Sequence, residues 1–253
     1  MLAQVEPDVL PVDTPDIVWA GFAPIMVLAG GAVLLVMLRS ILKRLPEELE
    51  RSLVLLVGPV TVVGAWYAHG LSADQVPLAD LRDDTGAGFY VGLAVIMALA
   101  AWLLRELRVG FDAAFTFGVG LVAAAAAWGL WDRVDQGGAF NAVGEQFGVD
   151  GFSVVFAGVV AVAVALAALV LDGFLRRERL EGPEMYVLML LSAMGGAVMA
   201  GANDLLVLFL GLETLSIAVY VMAAMHVRRS ESTEAGFKYF VLGAFSSAFL
   251  LYG

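Results

Sequence analysis

The sequence predicts an all-α, polytopic transmembrane helix bundle of about eight spans with its N-terminus outside. Three observations predict it. Of the 253 residues, 61% are apolar and only 15% are charged, with a mean hydropathy of +0.88. A soluble domain carries ~25% charged residues, and a soluble fold could not cover this much apolar surface with so few polar groups, whereas a bilayer can. Next, apolar runs of ~20 residues, the length a helix needs to cross a membrane, recur along the chain. Finally, the basic residues alternate from one inter-run segment to the next.

The runs lie at about 18–38, 52–69, 87–104, 112–131, 151–175, 184–202, 205–225 and 236–253. Run 52–69 contains Pro59 and two glycines, which a membrane helix tolerates when neighbours satisfy the freed backbone groups. Their length predicts helices, because a membrane strand needs only ~9–11 residues of alternating polarity. Small residues at four-residue spacing, as in Ala193, Ala197 and Gly201, are expected to let helix backbones approach closely in lipid. The segments between runs are short and leave no room for a separate soluble domain.

Orientation follows from Arg and Lys. Arg39, Lys43, Arg44, Arg51, Arg105, Arg108, Arg176, Arg177, Arg179, Arg228 and Arg229 fall on one side, whereas the other side has only Arg82 and Arg133. The positive-inside rule makes the first set cytoplasmic. The opening MLAQVEPDVLPVDTPD has no Lys or Arg and four acids, the wrong start for a cleavable signal peptide, so the first run is expected to stay as a span. Nearly all of the charges behind the net −11 lie in the short segments between the runs, and no basic patch interleaved with aromatics is present, which speaks against nucleic acid as a partner. With no cysteine, the chain has no disulfide, thiolate zinc site or cysteine-ligated cluster.

No phosphate-binding glycine motif or nucleophile elbow is found. His69 and His226 sit at span ends without a companion at metal-ligand spacing and read as interfacial residues. Chemistry therefore falls to ionisable groups inside the spans. Glu213 is the leading candidate. It lies nine residues after Asp204 in DLLVLFLGLETLSIAVYVMAAM, roughly 13 Å down the helix and near mid-bilayer. A charge at that depth costs ~2.5–3.5 kcal/mol on insertion scales, and such residues face the protein interior and mark ion or proton paths. The competing reading is a protonated carboxyl that only hydrogen-bonds a neighbouring helix. Lys238 follows ESTEAGF near the start of the last run. It could snorkel to the interface or pair with Glu234 at i−4, as readily as act in transport. Asp204 is expected to cap its helix after the Gly-Ala-Asn turn, and Asp172 to form an interfacial pair ahead of the arginine cluster.

Four stretches carry a family resemblance: VDGF at 149–152, MLLSAMGGAVMAGANDLLVLFLGLE, LSIAVYVMAAM, and ES-EAGFKYFVLGAFSSAFLLYG. Residues 149–253 strongly resemble the subunit N type of the antiporter-like membrane subunits of respiratory complex I, the proton-pumping NADH–quinone oxidoreductase. Pairing of LGLETLS with EA-x-x-KYF is the most specific part. The resemblance implies that Glu213 corresponds to the family's central glutamate and Lys238 to the lysine of the next helix, together a proton relay. It implies no cofactor bound by this chain, within a complex that uses NADH, FMN, iron–sulfur clusters and a quinone. The implied partners are the lipid bilayer, antiporter-like subunits M and L, and small subunits K, J, A and H, in the bacterial inner membrane. Two departures stand out. The family has about six spans to this point, so residues 1–148 are expected to hold N-terminal membrane helices with a two-span insertion within 45–131. Residues 149–253 are expected to be the start of the proton-translocating module. The family pattern continues past the equivalent of Gly253, including a lysine that partners its central glutamate, so the chain reads as an N-terminal fragment. Two rival functions remain: a subunit of a cation/proton antiporter, and a non-catalytic membrane scaffold.

Overall fold

A computed structural model describes residues 16–42, 47–73, 109–180 and 182–253, with Val95, Ala98, Leu99, Trp102, Leu104 and Glu106 described singly. Among the described residues the chain forms a 3-10 turn (Trp19–Phe22), seven α-helices and one short hairpin. The helices are α1 (Ala23–Leu42), α2 (Glu47–Ser72), α3 (Phe111–Gly137), α4 (Gly151–Glu178), α5 (Glu184–Ala200), α6 (Leu205–Ala224) and α7 (Ser230–Tyr252). All but α5 are long and apolar enough to cross a membrane. Helix α5 has 17 residues, about 25 Å of rise, a little under the usual span. The chain is thus an all-α polytopic bundle, as its hydropathy predicts. The expected third span at 87–104 lies outside the described residues except for single helical positions.

Helix α3 occupies the centre, with α1, α2 and α4 around it. Small residues make this possible. A Cβ on Gly120 would sit 2.8 Å from the Ala161 carbonyl oxygen of α4, and one on Gly118 would sit 2.5 Å from Thr61 Oγ1 of α2. Thr61 lies beside Gly118, and the His69 carbonyl beside Gly129, so α2 and α3 run parallel. Ala73 and Val109 consequently lie at opposite ends of the bundle. The other close pairs are antiparallel: Gly31 of α1 meets Val119 while Arg39 meets Asp112, and Gly195 of α5 meets Gly211 and Leu215 of α6.

At one end, α3 and α4 are joined by a hairpin, β1 (Phe140–Val143) and β2 (Phe147–Val149), antiparallel and bulged between Asn141 and Val143. Gly144 takes φ 47° in its turn, a region glycine enters without steric cost. Expecting helices and short loops alone missed this element, because three and four residues are too few to show a period-2 pattern. The hairpin ties this end together. Ile17 bridges to Val143, Phe147 bridges to Ala202, and Gly148 N–H donates to the Gly201 carbonyl at 2.8 Å. The hairpin runs directly into α4 through a capping box, in which Asp150 Oδ1 accepts from Ser153 N–H and Ser153 Oγ accepts from Asp150 N–H.

The opposite end collects the charges. Arg39 makes a forked pair with Asp112, at 2.5 and 2.8 Å, joining α1 to α3. Asp172 pairs with Arg176 at 2.9 Å and accepts from Gly110 N–H at 3.3 Å, the interfacial role expected of it. Glu178, at the end of α4, meets Arg229 at 2.7 Å and His226 at 3.7 Å. Arg39, Arg176 and Arg229 thus share one end, as their alternation in sequence requires, while Arg133 lies at the hairpin end over the Phe140 ring.

The expected stripe of small residues is used in part. Ala193 is buried with Leu28, Ala32, Ala123 and Ala161, and Gly201 lies against Phe147. A close approach of α5 to α6, however, is made at Gly195, where a Cβ would stand 2.5 Å from the Leu215 nitrogen. That glycine belongs to a different face of the helix from Ala193.

Candidate functional site

The path to Glu213 begins with helix α6, which starts at an Asp204 cap. The Asp204 carboxylate accepts from Val207 N–H at 2.9 Å, as the sequence predicts. From there α6 is apolar until Glu213. The Gly195–Gly211 contact presses α6 against α5 one half-turn before Glu213. On the other flank, α7 runs antiparallel to α6. Gly236 abuts Ala224, Tyr220 packs edge-on to Tyr239 with ring centroids 5.0 Å apart, and Gly243 lies against the Tyr220 hydroxyl.

In the seam between α6 and α7, Ser247 Oγ donates a hydrogen bond to Glu213 Oε1. Ser247 is buried, one of only two buried residues on α7, the other being Gly236. Glu213 is half-buried. The mid-span carboxyl is therefore paired, and its partner is a hydroxyl from the last helix. Sequence reading missed Ser247. Its signal was present in the register of Gly236, Gly243 and Ser247, which recur at seven and four residues and so share one helix face.

Lys238 is placed elsewhere. Nine residues separate it from Ser247, which is about 13 Å along the axis and about 180° around the helix. It therefore projects from the face of α7 that points away from α6. There Nζ pairs with Glu234 Oε1 at 2.5 Å, with the two side chains 67% and 61% exposed. This is the i−4 pairing that the sequence offered as one of its readings. The structure does not bring Glu213 and Lys238 together.

His69 pairs with Asp132 at 3.1 Å and His226 with Glu178 at 3.7 Å, each at a helix end, in keeping with their interfacial placement. Among the described residues no group of three or more His, Cys, Asp or Glu could hold a metal ion.

Comparison with known proteins bears on this same region. Residues 202–253, which hold both Glu213 and Lys238, match the family described as NADH:quinone oxidoreductase/Mrp antiporter, TM. The chain is 43% identical over 114 residues to NADH-quinone oxidoreductase subunit N 1 of Sorangium cellulosum, 45% of this chain and 22% of that protein. It is 49% identical over 108 residues to subunit N of Methylobacterium nodulans, 43% of this chain and 22% of the relative. With subunit N of Gemmatimonas aurantiaca it shares 48% identity over 104 residues, 41% of this chain and 20% of the relative. The match thus spans about a fifth of the length of these relatives. Together with the apolar helices, these likenesses make the chain a multi-pass protein of the bacterial inner membrane. Over its C-terminal part the chain is therefore similar to NADH-quinone oxidoreductase subunit N, and its last 52 residues, 202–253, match a transmembrane family of NADH:quinone oxidoreductases and Mrp antiporters.

Proposed function

We propose that this chain serves in a membrane subunit of a proton-pumping NADH:quinone oxidoreductase, with Glu213 as a protonatable centre and Lys238 as a second relay group. The observation that carries the reading is a mid-span carboxyl, held in an interhelical seam, within the segment matched to the transmembrane family. An intramembrane carboxyl is costly, and its upkeep is explained by a path for charge. Redox energy comes from other subunits, which hold the NADH, FMN, iron–sulfur and quinone chemistry. Subunits M and L and the small subunits K, J, A and H are the proposed neighbours.

The energetics are feasible. Moving one charge against ~200 mV costs about 4.6 kcal/mol, at ~2.3 kcal/mol per 100 mV. A tenfold change in proton affinity is ~1.36 kcal/mol, so a swing of three to four orders of magnitude suffices. Opening and closing of ion pairs and changes of hydration produce swings of that size for buried carboxyls and lysines. Residues 149–253 form the start of the translocating module, and residues 1–148 the preceding helices with an inserted pair of spans. The division is one of sequence origin, since α3 and α4 pack closely across it.

A cation/proton antiporter subunit is the second reading, because the matched family spans both kinds of protein. Similarity to subunit N proteins favours the first. The test is Glu213→Gln in the assembled complex, which keeps volume and hydrogen bonding but removes the titratable group. Pumping in vesicles should fall several-fold while the complex still assembles. An unchanged proton-to-electron stoichiometry would leave the chain as a scaffold, and sodium-driven proton flux without NADH would favour the antiporter.

A further inference from the structure

We infer that Ser247 is a positioning residue for Glu213: its hydroxyl holds the carboxyl in the α6–α7 seam and so decides which way the proposed relay group points. The inference rests on the proposed role of Glu213.

The behaviour of the other helical hydroxyls argues for it. A serine or threonine in the middle of a helix commonly bonds the carbonyl four residues back on its own helix. Four here do so, Ser52 to Glu48, Ser72 to Ala68, Thr116 to Asp112 and Thr214 to Leu210, at 2.6–2.9 Å. Ser232, in the first turn of α7, donates across to the Ala223 backbone carbonyl at the end of α6 at 2.6 Å. Ser247, deep in α7, instead bonds a side chain, the Glu213 carboxyl near mid-span. Its neighbour Ser246 is exposed, so the pair of serines is resolved by packing into one that faces α6 and one that does not. Gly236 and Gly243, on the same face as Ser247, admit Ala224 and Tyr220 and bring α7 close enough for the bond.

The consequence is a fixed starting geometry. A carboxyl with several rotamers in a membrane interior would face its exchange partner only part of the time. A hydroxyl from the adjoining helix selects one rotamer, and hydrogen bonds to ionisable groups are among the stronger ones in proteins. To turn Oε1 toward a group on another side the carboxyl must release Ser247, so α6–α7 spacing becomes coupled to that reorientation.

The test uses the intact complex with Ser247→Ala, Ser247→Thr and Ser246→Ala. Infrared difference spectroscopy supplies a readout that a structural role would not move, namely the carboxyl bands that Glu213→Gln abolishes. Ser247→Ala should shift those bands and lower pumping roughly tenfold, the equivalent of ~1.4 kcal/mol. Ser247→Thr, which keeps the hydroxyl, should restore the band positions and most of the pumping, and Ser246→Ala should change neither. Unshifted bands in Ser247→Ala overturn the inference, even where Glu213→Gln is inactive. Shifted bands with normal pumping in both Ser247→Ala and Glu213→Gln overturn the proposed role of Glu213 and leave the contact standing.

Discussion

Helices α3 and α7 are both long enough to cross a bilayer and both mostly apolar, yet the molecule treats them oppositely. In α3, 56% of the span is buried among neighbours, and in α7 only 6%. Residue size separates them. Buried positions of α3 are mainly Ala and Gly, as at Ala113, Ala123, Gly118 and Gly120, which let α1, α2 and α4 close in. Helix α7 carries Phe237, Leu242, Phe245 and Phe249 outward and rests chiefly on α6. Lipid tails are as apolar as leucine, so large outward side chains cost nothing in a bilayer, while close helix pairs depend on small residues and polar contacts. Hydropathy locates a span, and side-chain size says what the span touches. The Glu213–Ser247 bond belongs to the thinly packed region, the part of a structure where local opening is cheapest and movement is available to function.

Several measurements would break or sharpen that contrast. The largest expected effect is all-or-none and concerns what the two regions share, a common charged end. Cysteines placed singly at Arg177, beyond the centre of the bundle, and at Arg228, between α6 and α7, should both resist an impermeant thiol reagent added outside intact cells. The chain's lack of native cysteine makes the readout clean. Labelling of one but not the other would separate the two regions topologically, and labelling of both would invert the orientation.

Packing gives the next effect. Gly120→Leu places a side chain where even a Cβ would lie 2.8 Å from the Ala161 carbonyl, and should destabilise the bundle by about 3 kcal/mol, read as thermal unfolding in detergent. Phe245→Leu, at an exposed α7 position, should stay within ~0.5 kcal/mol. Equal losses would mean that α7 is as tightly enclosed as α3.

The smallest effect is at Lys238. Its pair with Glu234 is exposed and lies within one helix, and such pairs contribute ~0.3–0.5 kcal/mol. Lys238→Met should therefore change unfolding by less than about 0.5 kcal/mol while still testing the proposed relay through pumping. A loss close to that of Gly120→Leu would show that Lys238 clamps α7 to something other than Glu234.

What the sequence by itself determined is what depends on short range. Span positions follow from local hydropathy, the shared end of Arg39, Arg176 and Arg229 from alternation, and the Asp204 cap from three neighbouring residues. The carboxyl at 213 was legible as the odd charge in an apolar run. Tertiary structure decided its partner. Nothing near Glu213 in sequence distinguishes Ser247, 34 residues away, from Ser246 beside it, and nothing near Asp112 announces Arg39, 73 residues earlier. Those choices depend on the rotation and register of one helix against another, which small residues at Gly195, Gly236 and Gly243 set by allowing backbones to touch. The same rotation sends Lys238 to the far face of α7. A residue's depth in a membrane is a sum along the chain, whereas its partner depends on an angle between two helices, and that angle is fixed only when they pack.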